Sequence, residues 1–165
     1  MVDVKPGAVF APPGVGEDTW FLQNRMTIKA TAEETGGAFG LLESWIAVGS
    51  SPPLHIHRRE DESFWVIEGR IRFRCADEEF VAEAGSFVFL PRDVPHTFIV
   101  EGEQTAHVLT LVTPGGMERF FVDGGRVPEG PGLPPPGPPD IARLKEAAEL
   151  YGSEIIGPPL QAVER

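Results

Sequence analysis

The chain has 165 residues, of which 19 are Gly and 17 are Pro, and its 25 Asp and Glu outnumber 14 Lys and Arg, for a formal charge of −11. Acidity on this scale repels phosphate backbones and anionic lipid, which argues against nucleic acid or a membrane surface as a partner, while the length fits one domain with a real core. The single Cys75 excludes an intramolecular disulfide framework and a Cys-rich zinc site, and with no apolar run longer than four residues nothing in the chain can span a bilayer.

Residues Met1 to Gly7 have neither the basic start nor the apolar stretch of a secretory signal, so a cytoplasmic protein is expected. Lys5 to Gly16 forms an arm rich in Pro and Gly. From 19 to 113 short β-segments alternate with turn chemistry. The predicted strands are Trp20–Arg25, Met26–Ala30, Phe39–Val48, His55–His57, Ser63–Glu68, Arg70–Cys75, Glu79–Ala82, Ser86–Leu90, His96–Val100 and Ala106–Val112. Runs of this length, with no helical period between them, predict an all-β sandwich or barrel. In Arg70 to Cys75 the Arg side chains share one face, read as solvated, while Ile71, Phe73 and Cys75 share the inward one. The segments Phe64 to Ile67 and Phe87 to Leu90 are apolar on both faces and need covering on both, by a second sheet, another segment or a second subunit.

Beyond Pro114 the composition changes. Gly116 to Phe121 has the makings of one helical turn, and residues 127–139 form a Pro-rich strap containing seven Pro. Asp140 then caps a short amphipathic helix that places Ile141, Leu144, Ala148 and Tyr151 on one face and stops at Gly152. The predicted layout is a β-barrel with its N-terminal arm over 1–126, the strap over 127–139, and a C-terminal helix and tail over 140–165.

Three of the four His occupy two short segments. His55 and His57 lie two apart, so a strand would put both on one face about 6.6 Å apart. Arg58 to Asp61 has the length of a four-residue hairpin loop, which would set Glu62 directly across from His57 with Cβ atoms about 5 Å apart. His96 opens another strand after the loop Pro91 to Pro95 and can supply a further ligand. Glu60 or Asp61 could take the place of Glu62, but both fall in the proposed loop. Imidazole with carboxylate suits one divalent transition metal (Fe, Ni, Mn, Co, Cu or Zn) better than Ca or Mg. His107 lies on a strand with no plainly polar face and reads either as a pocket residue or as a hydrogen-bonded structural His.

The flanking residues sharpen this. Gly49, five residues, His55, Ile56, His57, four residues, Glu62, six residues and Gly69 reproduce without a gap the first motif of the cupin superfamily. Gly85, five residues, Pro91 and then His96 follow its second motif in part, with Asp93 in place of a Gly and Val100 in place of an Asn. Asp93 stands where a tight turn calls for positive φ, a conformation that Asp tolerates. The chain thus resembles small single-domain cupins over about 40–112. The resemblance implies a double-stranded β-helix, or jelly-roll barrel, with His55, His57, Glu62 and His96 as metal ligands.

Among cupins the chain looks most like single-domain relatives of quercetin 2,3-dioxygenases, which implies a metal-dependent dioxygenase with Glu62 also serving as the catalytic base. Phe64, Val66, Phe73, Phe87, Phe89 and Phe98 are the expected lining of a pocket for an aromatic or hydrophobic small-molecule substrate. The alternatives are a metal- or small-molecule-binding cupin without turnover, and an isomerase or decarboxylase that needs no dioxygen. The two-sided apolar strands and the N-terminal arm point to a homodimer.

Overall fold

A computed structural model describes residues 7–163. Lys5 and Pro6 of the expected arm, and the last two residues of the expected tail, lie outside the described residues. The elements in chain order are β1 (Glu17–Phe21), β2 (Asn24–Ala30), β3 (Gly40–Ile46), β4 (Pro53–His57), β5 (Asp61–Glu68), β6 (Arg70–Cys75), β7 (Glu78–Glu83), β8 (Phe87–Leu90), β9 (His96–Glu101) and β10 (Ala106–Thr113). Two helices, α1 (Glu118–Asp123) and α2 (Ile141–Tyr151), and a last strand, β11 (Ser153–Pro159), complete it. The strands form two sheets, one six-stranded in the order β1-β2-β3-β10-β5-β8 and one five-stranded in the order β11-β4-β9-β6-β7. The architecture is all-β with a short C-terminal helix, as the sequence predicts.

Period-2 alternation sets the inner faces. Leu42, Ser44 and Ile46 of β3 are buried, as are Ala106, Val108, Thr110 and Val112 of β10, while the residues between them are only partly so. The inner faces meet in two apolar clusters. One packs Ile46, Phe64 and Val66 of the six-stranded sheet against Ile71, Phe73 and Val100 of the five-stranded sheet. The other packs Phe21, Met26 and Leu42 against Phe120 and Phe121 of α1 and Leu144 of α2. The two helices thus close one end of the space between the sheets.

Turn chemistry explains most of the boundaries. At Gly69 φ is 94°, and a Cβ there would press on the backbone of Ala106, so the β5–β6 turn needs glycine twice over. Asp93 has φ 64°, the left-handed conformation expected where it replaces a Gly. The turn between β1 and β2 falls at Leu22 and Gln23, earlier than the predicted break before Met26; Leu22 adopts φ 56° with no Gly or Pro nearby to announce it.

The C-terminal region is tied down at several points. The indole Nε1 of Trp20 donates to Gly132 O at 2.9 Å, and the Arg126 guanidinium lies over the same ring at 4.7 Å, pinning the Pro-rich segment to β1. Asp140 accepts from Arg143 N at 3.0 Å as the cap of α2, and Gly152 ends the helix at φ 72°. Helix α2 buries Leu144, Ala147 and Ala148; Ile141, expected on that face, is half exposed because the contact stripe begins one turn later. Residues 153–159, read from the sequence as tail, instead form β11, which pairs antiparallel with β4. Among the described residues no helix is long and apolar enough to cross a membrane.

Candidate metal centre

The hairpin expected to face Glu62 to His57 does not exist. β4 belongs to the five-stranded sheet and β5 to the six-stranded sheet, so residues 58–60 cross from one to the other. Glu62 therefore approaches the histidines from the opposite sheet rather than along a shared ladder. Period 2 still holds on β4, where His55 and His57 point the same way, and His96 at the start of β9 is the ladder partner of His55.

All four side chains converge. Imidazole centroids are 4.8 Å apart for His55 and His57, 4.6 Å for His55 and His96, and 5.0 Å for His57 and His96. Glu62 Oε2 lies 3.4 Å from His57 Nε2 and 3.5 Å from His96 Nε2, and one donor atom from each of the four residues lies within 4.8 Å of the others. His57, Glu62 and His96 are buried and His55 partly so.

Local backbone fixes the ring orientations. His55 Nδ1 donates to Pro53 O at 2.7 Å and His96 Nδ1 to Val94 O at 3.0 Å, each two residues back. With the proton held on Nδ1, the Nε2 lone pair is left facing the centre, the arrangement a metal ligand requires. Burial, reinforced by the neighbouring His57 and His96, pushes the His55 pKa down to about 3, so that ring is neutral at ordinary pH. Burial opposes ionisation of Glu62, but the adjacent His57 and His96 rings outweigh it and hold the carboxyl well below its usual range.

His96 Nε2 is buried without a hydrogen-bond partner, an orphan lone pair aimed at the three other donors. Three imidazoles and one carboxylate fit a single divalent transition ion and suit Fe, Mn, Co, Ni, Cu or Zn.

Beside the cluster lies a cavity of about 70 Å³. Its walls draw on both core clusters, and of the expected pocket residues Phe64 and Phe98 line it, together with Phe21, Met26, Phe120 and Leu144. The other expected pocket residues lie elsewhere. Val66 and Phe73 face inward but are fully buried in the core cluster beyond the site. Phe87 and Phe89 point outward, 62% and 53% exposed, because on β8 it is Val88 and Leu90 that take the inner face.

Other sequence readings are decided as well. His107 is structural: it stacks on Trp45 at 4.9 Å and bonds Glu43 Oε1 at 2.9 Å on the outer face. The Arg face of β6 points outward, but only Arg70 is exposed; Arg72 is largely covered, engaged by Glu101 at 2.7 Å and Glu79 at 3.0 Å. Glu60, placed by the sequence in a hairpin loop, is instead buried within the crossing between the sheets, and burial raises its pKa. Nothing in its charged neighbourhood, Arg58 to Asp61, signals this.

Residues 44–112 match the model of the cupin domain family. The chain is 25% identical over 92 residues to quercetin 2,3-dioxygenase of Bacillus subtilis, covering 56% of this chain and 27% of that protein. It is 32% identical over 56 residues to an uncharacterised protein of Methanocaldococcus jannaschii, covering 34% of this chain and 45% of that one. The chain thus spans less than half the length of either curated relative.

Among solved structures, an RmlC-like cupin from Shewanella frigidimarina superposes with a TM-score of 0.59 at 14% identity, over 70% of this chain and 99% of that one. A protein described as a predicted oxalate decarboxylase from Thermotoga maritima gives 0.57 at 17% identity, over 66% and 99%. At these identities the likeness is one of fold. It covers 70% and 66% of this chain in the two superpositions.

Proposed function

We propose that this cupin holds one divalent transition metal on His55, His57, Glu62 and His96 and binds a compact, oxygen-bearing small molecule beside it, with any turnover independent of dioxygen. The observation that carries this is the size of the space. A cavity of about 70 Å³ is far below the roughly 300–1,000 Å³ of pockets that enclose drug-sized ligands. A divalent ion in this setting supplies a Lewis acid that polarises a bound oxygen. The chain's own residues do the rest. The Pro53 and Val94 carbonyls keep two imidazoles in register, Glu62 stays ionised, and Phe64, Phe98 and Leu144 wall the ligand from water.

The quercetinase-like dioxygenase is the second reading, and the similarity to the Bacillus subtilis enzyme favours it. It requires Glu62 to leave the metal to act as base, and the wall formed by α1 and α2 to move so that a flavonol can enter. The two readings separate in one experiment. Protein loaded in turn with Fe, Mn, Co, Ni, Cu and Zn is offered flavonols in an oxygen electrode, and short hydroxy and oxo acids under nitrogen with melting temperature as readout. The proposal expects the acids to raise the melting temperature and the flavonols to consume no oxygen. Flavonol-dependent uptake would replace it with the dioxygenase.

We also propose that the chain works as a homodimer. On the outer face of β5 and β8, Trp65, Phe87 and Phe89 are 49%, 62% and 53% exposed, an uncharged aromatic patch on a chain of charge −11. A second copy covers it without opposing like charges. Light scattering at micromolar concentration should report a dimer, and the double variant Phe87→Ser, Phe89→Ser a folded monomer. A monomer for the unaltered chain contradicts the proposal.

A further inference from the structure

The inner face of the six-stranded sheet carries a polar strip that the metal centre does not use. Ser44 on β3 is fully buried and lines the cavity, and its hydroxyl has no hydrogen-bond partner. The ladder register shows how it relates to the metal site. Glu62 pairs with Val112, and Thr110 is the next inward residue along β10. Val108, the next after that, pairs with Ser44, and Ser44 pairs with Met26, two residues from Asn24 on β2. From Glu62, the side chains of Thr110, Ser44 and Asn24 therefore step diagonally across the sheet. Each step advances one strand and one inward row, with diagonal neighbours about 7–8 Å apart. All of them line the same cavity as His55 and His57.

The lining beside this strip is hydrocarbon, including Met26, Leu42, Ile46 and Phe64. The Asn24 carboxamide oxygen is already taken by Ala47 N at 3.1 Å, whereas the Ser44 hydroxyl is left open. Buried hydroxyls are almost always paired, since an unpaired one forfeits its hydration without return. In a cavity that ends at a metal centre, a ligand atom is the partner that fits.

We propose that Ser44, with Thr110 beside it, sets the specificity of the site for ligands bearing two oxygen functions, one for the metal and one for the Ser44 hydroxyl. This inference rests on the small-molecule reading of the metal centre and names its ligand class. A volume of about 70 Å³ accommodates roughly 5–7 non-hydrogen atoms. That describes a short aliphatic acid with a distal hydroxyl or carbonyl.

The test uses the cobalt-loaded full chain, the visible absorption of cobalt as readout, and two acids with the same number of non-hydrogen atoms. 4-Hydroxybutanoate carries the distal oxygen and pentanoate lacks it. The unaltered protein should bind 4-hydroxybutanoate about tenfold more tightly than pentanoate. Ser44→Ala should bring the two acids to within about twofold while leaving pentanoate affinity unchanged, and Thr110→Val should lower the preference less. In the metal-free protein Ser44→Ala should raise the melting temperature by about 2–4 °C, because it removes an unpaired hydroxyl. Equal affinities in the unaltered protein, a preference that survives Ser44→Ala, or a lowered melting temperature overturns the inference alone. Cobalt bound at one ion per chain with neither acid perturbing its spectrum overturns the small-molecule reading as well.

Discussion

His57→Ala should strip the chain of its metal. The His57 imidazole is buried, contributes one of the four donors that converge within 4.8 Å, and sits 3.4 Å from Glu62 Oε2. Changes to groups that only orient a metal ligand lower affinity about 10–100-fold, so loss of a ligand should lower it by at least ~100-fold. Glu62→Gln should act similarly, because it keeps the shape but removes the one carboxylate from a set of imidazoles. Elemental analysis after desalting checks both. A companion effect follows from linkage. An ion at a thousand times its dissociation constant stabilises the fold by about 4 kcal/mol, so a chelator should lower the melting temperature of the unaltered protein and leave that of His57→Ala unchanged. Metal content within twofold of the unaltered protein in either variant would remove these residues from the site.

The second large effect lies away from the metal. Glu118 is 1% exposed, and its carboxylate accepts from Ala32 N and Gly116 N, both at 2.7 Å. One side chain thus ties the loop after β2 to the start of α1. Glu118→Ala removes both acceptors and leaves two backbone donors without partners, a loss of about 3–5 kcal/mol by denaturant unfolding, since hydrogen bonds to charged groups contribute about 1.5–3 kcal/mol each. Glu118→Gln keeps an oxygen and should lose less. Gly40 has to remain small for the same reason, because a methyl group there would meet the Glu118 carboxylate. Phe120 and Phe121, which follow directly on α1, wall the cavity, so this carboxylate also supports the ligand space. A change below about 1 kcal/mol in Glu118→Ala would contradict this role.

Much of the fold and the ligand set was legible because both rest on short-range rules. Period 2 put His55 and His57 on one face, turn residues marked most strand ends, and the Asp140 cap and Gly152 stop bracketed α2. The failures share a cause, namely that local pattern does not say which sheet a strand joins or how deep a residue lies. Residues 58–61 have hairpin length and polarity, yet the chain crosses between sheets there, so Glu62 reaches His57 by a route that spacing does not reveal. On β8 both faces are apolar, and parity alone did not show that Val88 and Leu90 point in while Phe87 and Phe89 point out. Phe73 has the predicted inward direction but belongs to the far core cluster, a matter of depth rather than face. Ser44 and Thr110 look like ordinary strand residues until the ladder register lines them up with Glu62.

The account depends most on one claim, that His55, His57, Glu62 and His96 together hold a single transition ion. X-ray absorption at the metal edge, on protein purified without added metal or reconstituted and desalted, tests it most directly. The expected result is one ion per chain with a shell of nitrogen and oxygen only, whose scattering requires three imidazoles. Substoichiometric metal after reconstitution, or a sulfur scatterer that implicates Cys75, would contradict it.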